Sequence, residues 1–237
     1  MKPKHIFNII LAVLFLFPLM GTFAQQEPNS GSIEVITTFD YPGTGNSTLP
    51  QKINERGDVV GVFVSSGVTR AFVRFSDGSF SPPIVDPNDT VGFTEGRGIN
   101  NPRTVVGDYA TSDGNLNGFF LSGGTFTGFD IPGAVFTAVL SINNPGDFTG
   151  TFSNDNVIFQ AFVNIGGTLK SFSVPGASST LAYQINNSKR LRLINCWSTS
   201  TCEKSGLMVR SRFNDVEKLI LASTPALPCM PVPVFLV

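Results

Sequence analysis

The sequence predicts an all-β fold: a β-propeller-like array of four-stranded repeats of about 43–46 residues that does not complete its ring. A β-solenoid or sandwich-like stack is the alternative architecture. Three observations predict this class. An Ile-Asn dipeptide recurs at near-constant spacing, turn residues fall about four to a repeat, and no segment sustains a 3.6-residue apolar period.

The dipeptide stands at Ile53-Asn54, Ile99-Asn100, Ile142-Asn143 and Ile185-Asn186, at intervals of 46, 43 and 43 residues. A Gly follows each of the first three Ile residues by eight positions: Gly61, Gly107 and Gly150. A second marker reads Phe39-Asp40-Tyr41-Pro42-Gly43, then Phe129-Asp130-Ile131-Pro132-Gly133-Ala134, then Phe172-Ser173-Val174-Pro175-Gly176-Ala177, with Val85-Asp86-Pro87 as a degenerate copy. A third is small-then-aromatic: Ala71-Phe72, Gly118-Phe119 and Ala161-Phe162. Three markers in fixed order define a repeat array.

Each repeat reads as β-structure. Val105-Val106-Gly107-Asp108-Tyr109 is a β-branched and aromatic run behind an Asn- and Pro-rich turn. Asn54–Gly57, Asp113-Gly114, Gly123-Gly124, Pro132-Gly133 and Asn144–Asp147 carry the residues that tight turns require. One small sheet cannot cover both of its apolar faces alone, so such units stack. The phenylalanines, among them Phe119, Phe129, Phe148 and Phe162, are expected between the stacked sheets rather than in sugar-stacking platforms, because Phe lacks a polar handle.

Over residues 39–188 these pieces resemble the bacterial extracellular HAF repeat family, whose units carry a His-Ala-Phe or His-Gly-Phe tripeptide. The matching positions are Arg70-Ala71-Phe72, Asn117-Gly118-Phe119 and Gln160-Ala161-Phe162, so every family His is replaced. The resemblance implies export and a propeller-like repeat, with no catalytic activity attached.

The two ends read differently. Lys2 and Lys4, the apolar run Ile9–Phe17 and Thr22-Phe23-Ala24 have the layout of a secretory signal peptide over residues 1–24. Nine unbroken apolar residues are short against the roughly 20 of a membrane-spanning helix. The expected location is secreted, extracellular or periplasmic, and the repeat array is expected over 25–188. Residues 189–237 look like an atypical basic tail, with seven basic and three acidic side chains, a single Gly and all three Cys. This tail reads as a partner-binding extension, a divergent last repeat closed by a Cys196–Cys202 bridge, or a frame-shifted or disordered segment. Read one nucleotide early, Ser223–Leu227 can encode Asp-Pro-Gly-Ala and Leu207–Val209 can encode His-Gly, both repeat markers.

Composition narrows the function. With 16 basic and 17 acidic residues the chain is no basic nucleic-acid binder. Its single His, His5, lies in the leader, so a Ser-His-Asp triad and a His-ligated metal are excluded from the mature chain. Ser65, Ser66 and Ser122 have no base to activate them. Asp40, Asp86 and Asp130 recur once per repeat and read as turn-builders. Asp108, Asp113, Asn115 and Asn117 supply oxygen ligands but fit no calcium-loop spacing. No phosphate loop is present, and Asn46, Asn88 and Asn186 match the glycosylation triplet by composition.

The expected function is a secreted non-enzymatic repeat protein that binds an extracellular polysaccharide or surface protein through rim loops. No catalytic, cofactor or metal site is expected. Self-association through unpaired strand edges is expected of an unclosed array. The alternatives are a structural envelope protein and an extracellular glycan hydrolase working through two non-equivalent carboxylates. For the hydrolase, Glu95 and Asp155 are the candidates, as acids that break the repeat.

Overall fold

A computed structural model describes residues 38–43 and 47–198, with the backbone of 201–203, 209–210 and 227–228. The leader and most of the tail, including Cys229, lie outside the described residues. The chain divides into two compact units at Phe39/Asp40, and the repeat array lies in the second. Among the described residues there is no helix, and so none long and apolar enough to cross a membrane.

The strands group by repeat. Repeat 1 has β1 (Thr48–Ile53), β2 (Val59–Ser65) and β3 (Val68–Arg74), with Phe80 and Ile84 bridging the outer edge. Repeat 2 has β4 (Thr94–Ile99), β5 (Val105–Ala110), β6 (Leu116–Ser122) and β7 (Thr125–Phe129). Repeat 3 has β8 (Phe136–Ile142), β9 (Phe148–Ser153), β10 (Gln160–Ile165) and β11 (Thr168–Phe172). Repeat 4 has β12 (Ser179–Ile185), β13 (Arg190–Ser198), β14 (Thr201–Glu203), and the short β15 (Val209–Arg210) and β16 (Leu227–Pro228). Pairing within every repeat is antiparallel, and one parallel bridge, Leu116↔Phe136, joins repeats 2 and 3. None of the sheets closes on itself.

The Ile-Asn marker is the turn between the first two strands of each repeat. Its Asn Oδ1 accepts the backbone N–H four residues on: Asp58 (2.9 Å), Thr104 (2.8 Å), Asp147 (2.8 Å) and Arg190 (2.9 Å). The residue before that N–H always has positive φ: Gly57 (86°), Arg103 (67°), Gly146 (90°) and Lys189 (59°). Glycine occupies this slot without steric cost, whereas Arg and Lys sit there against a penalty of about 1 kcal/mol.

Lys189 therefore corrects the boundary read from the sequence. The array was expected to end at Ser188, but Lys189 fills the repeat's own turn slot and β13 pairs with β12 from Leu191↔Ile185 to Cys196↔Ser179. Leu191 and Leu193 are buried with Ala182 and Ile185. The repeat pattern continues in register as far as Cys196.

A fourth marker went unread in the sequence. Thr48, Thr94, Thr137 and Thr180 each accept, at Oγ1, the N–H of the residue preceding the marker proline: Tyr41 (3.0 Å), Asp86 (3.2 Å), Ile131 (3.3 Å) and Val174 (2.9 Å). Asp86 thus aligns with Tyr41, Ile131 and Val174. It is one residue out of step with Asp40 and Asp130, so the three aspartates do not share one position.

Apolar cores lie between consecutive repeats. Val60, Ala71, Ile99, Tyr109 and Phe119 join repeats 1 and 2, and Val106, Val139, Phe152 and Phe162 join repeats 2 and 3. Ala161, Val174, Ala182 and Leu193 join repeats 3 and 4. Burying one such Phe or Leu contributes about 1.5–3 kcal/mol. Phe129 and Phe148 meet edge-to-face at 5.0 Å, and Phe129 reaches Phe162 at 5.4 Å. The aromatics pack the spaces between sheets.

Candidate functional site

The site grows from an irregularity shared by all four inner strands. Each is bulged by one residue against its neighbour: Gln51 in β1, Arg97 in β4, Leu140 in β8 and Tyr183 in β12. A bulge twists the strand and re-aims the extra side chain. Here the bulges precede the Ile-Asn turns, whose polar side chains gather at one end of the array.

Two ladders of amides run between repeats there. In the first, Asn54 Nδ2 donates to the Asn100 carbonyl (3.0 Å), Asn100 Nδ2 to that of Asn143 (3.1 Å), and Asn143 Nδ2 to that of Asn186 (3.1 Å). In the second, the backbone N–H groups of Glu55, Asn101 and Asn144 donate to Oδ1 of Asn101 (3.0 Å), Asn144 (2.9 Å) and Asn187 (2.9 Å). Glu55 replaces the Asn that the other repeats carry. Its carboxylate accepts Nδ2 of Asn101 (2.7 Å), Asn144 (3.2 Å) and Asn187 (2.9 Å). One acid is thereby tied to three other repeats.

The ladders border a shallow cavity of about 180 Å³, also lined by Lys52, Ser141 and Gln184. That is below the ~300–1,000 Å³ usual for small-molecule pockets, so it suits one group of a larger ligand. The Ser141 hydroxyl oxygen accepts the Ile185 N–H (3.3 Å) and keeps its own proton to donate. Lys52 reaches over the Tyr183 ring, with Nζ 5.3 Å from its centroid. Burial, helped by the charge of Arg192, lowers the Lys52 pKa to about 8.

A second cluster sits on β4 and β5. The Arg97 guanidinium pairs with Glu95, and its Nε with Asp108 Oδ1 at 2.8 Å. Asp108 is fully buried, and its Oδ2 has no hydrogen-bond partner. Burial raises the Glu95 carboxyl to about 7; Arg97 opposes the rise and Asp108 adds to it. The corresponding residues of repeat 3 are Ala138, Leu140 and Thr151, so the whole cluster is a local departure from the repeat.

The predicted acids are not brought together as a pair. Glu95 belongs to the Arg97 cluster. Asp155 lies in the exposed β9–β10 loop, where its carboxylate accepts the N–H groups of Val157 and Ile158 at 2.9 Å each and stays below the usual carboxylate range. The acid that Glu95 does meet, Asp108, is sealed from solvent. Of the recurrent aspartates, Asp86 accepts the Asn88 N–H (2.9 Å) and Asp130 the Gly118 N–H (3.3 Å), while Asp40 is exposed. The calcium candidates are dispersed: Asp108 is in the ion-pair cluster, whereas Asp113 closes the β5–β6 hairpin with Thr111 and Asn115. Among the described residues no group of three or more His, Cys, Asp or Glu is placed to hold a metal. Ser66 is a hairpin-turn residue (φ 53°), and Ser122 Oγ accepts from Thr104 at 3.4 Å. Asn186 lies in the first ladder, and Asn88 Nδ2 donates to Asp86 at 3.1 Å. Cys196 is disulfide-bonded, and strand register sets Cys202 directly across from it.

Glu55, Lys52 and Gln184 escaped the sequence reading. The available signal was that Glu55 breaks an Asn-Asn pattern kept at 100–101, 143–144 and 186–187.

No protein-family model matches the chain, and no curated protein matches it. Among solved structures the chain is similar to one described as a streptogramin B lyase structure, at 14% identity and a TM-score of 0.45. The match covers 79% of this chain and spans only 58% of that one.

Proposed function

We propose that this chain is an exported, non-enzymatic, propeller-like repeat protein of the HAF kind, and that it binds an extracellular saccharide at the end where its asparagines converge. The observation that carries the reading is the cavity bordered by carboxamides from repeats arranged side by side. Amide groups and a carboxylate match the mixed donor and acceptor pattern of sugar hydroxyls. The Ser141 proton and the Gln184 carboxamide are available, and Glu55 retains lone pairs beyond its three amide bonds.

The hydrolase reading has less support. Catalytic carboxylate pairs work across an open gap of roughly 5–10 Å, whereas Asp108 is buried and Asp155 serves its own loop.

The test is calorimetric titration of the full chain with a panel of neutral and acidic oligosaccharides. Saturable binding that weakens in Gln184→Ala is expected. Absence of saturable binding across the panel would refute the proposal.

A further inference from the structure

The junctions between consecutive repeats are joined by ion pairs or apolar cores, whereas among the described residues no ion pair links repeats 4 and 1. Asp58 of repeat 1 takes Arg103 of repeat 2 (Nε–Oδ2 2.9 Å), and Asp147 of repeat 3 takes Lys189 of repeat 4 (3.9 Å). Repeats 2 and 3 meet through their apolar core.

Between repeats 4 and 1 stand two cations. Lys52 lies on β1 with its ammonium over the Tyr183 ring of β12. Arg192 lies on β13, in register with the cavity residue Gln184. Among the described residues neither cation belongs to an ion pair. The nearby acid, Glu55, has its oxygens engaged by three asparagine amides.

We infer that the flank between repeats 4 and 1, with Lys52 and Arg192 beside the amide-lined cavity, binds the anionic group of an acidic saccharide. This rests on the saccharide-binding reading and narrows it to sugars bearing a carboxylate or sulfate. An anion there relieves the repulsion between two like charges, and Gln184 and the amides engage the neighbouring hydroxyls. The depressed Lys52 pKa fits a partly buried cation that lacks a counter-ion. Arg192 offers a planar fork suited to either anion.

The experiment is calorimetric titration of the full chain with trigalacturonate, its fully methyl-esterified neutral form, and a sulfated trigalactose. Trigalacturonate or the sulfated sugar is expected to bind at least about tenfold tighter than the ester, with affinity falling as salt rises. Lys52→Met and Arg192→Met are each expected to weaken that binding about tenfold. Lys52→Gln replaces the first variant if the apolar one alters the denaturation midpoint. Equal binding of ester and acid, or unchanged binding in both variants, overturns the charge assignment and leaves saccharide binding standing. Failure of all three sugars overturns both.

Discussion

The Glu55 carboxylate accepts the Asn187 carboxamide at 2.9 Å across 132 residues of sequence, joining the first repeat to the fourth. The same carboxylate takes Asn101 and Asn144, so all four repeats meet on one side chain. Each such bond is modest alone, about 0.5–1.5 kcal/mol net, and more where a charge takes part. Together they define the end of the array where we place ligand binding.

In the first three repeats the neighbouring strand passes so close that Gly61, Gly107 and Gly150 have no room for a side chain, whereas repeat 4 carries Leu193 at that position. A Cβ on Gly107 would stand 1.8 Å from the Glu95 carbonyl oxygen and 2.8 Å from the Phe119 ring. Gly107→Ala is therefore expected to cost at least about 3 kcal/mol in urea denaturation, as backbone overpacking does. Gly128→Ala, with nothing within 4 Å, should change stability by less than about 0.5 kcal/mol. Equal effects would show that the close approach is absent.

The Arg97 cluster is replaceable as a set and fragile in its parts. Arg97→Leu alone leaves two carboxylates facing one another and is expected to cost about 3–5 kcal/mol. The triple change Glu95→Ala, Arg97→Leu and Asp108→Thr imports the residues of repeat 3 and should be neutral or stabilising. Thermal denaturation of the two proteins checks this. A triple variant no better than the single would contradict it.

The same cluster sets a pH dependence. The folded pKa of Glu95 is raised from 4.5 to about 7, so its contribution is complete below pH 4.5 and is lost as the pH rises through 7. Glu95→Gln should flatten the fall in stability between those values by about 3 kcal/mol. Parallel stability–pH curves for parent and variant would rule this out.

Asp58 acts in the opposite sense. A hydrogen bond from the Arg103 guanidinium holds its carboxyl below 3.8, so the stabilisation is present above that pH and is lost as the pH falls further. Arg103→Gly relieves the positive-φ strain at the turn and removes the pair. Its acid unfolding should consequently be shallower than the parent's. A steeper acid transition in the variant would contradict the ion-pair assignment.

Much of the fold was legible because each repeat solves the same turn with the same chemistry. Ile-Asn recurs since its Asn Oδ1 must take the N–H four residues on. The recurring threonines were harder to see, because one Thr in a strand has no periodic contrast with its neighbours. Asp86 was misaligned by residue type. Its distance from Pro87, one residue against two for Asp40 and Asp130, placed it correctly. The fourth repeat was hidden because Leu193 stands eight residues after Ile185, where the first three repeats carry the marker Gly. The site was least legible. Glu55 depends on partners 46, 89 and 132 residues away, and the Lys52–Tyr183 approach depends on how inner strands from different repeats curve.

The most direct measurement is a double-mutant cycle on Glu55→Ala and Asn187→Ala, read by urea denaturation of the full chain. Convergence of the first and fourth repeats predicts a coupling energy of at least about 0.5 kcal/mol. Strictly additive effects would mean that the two residues do not meet, and that the array does not gather its asparagines into one site.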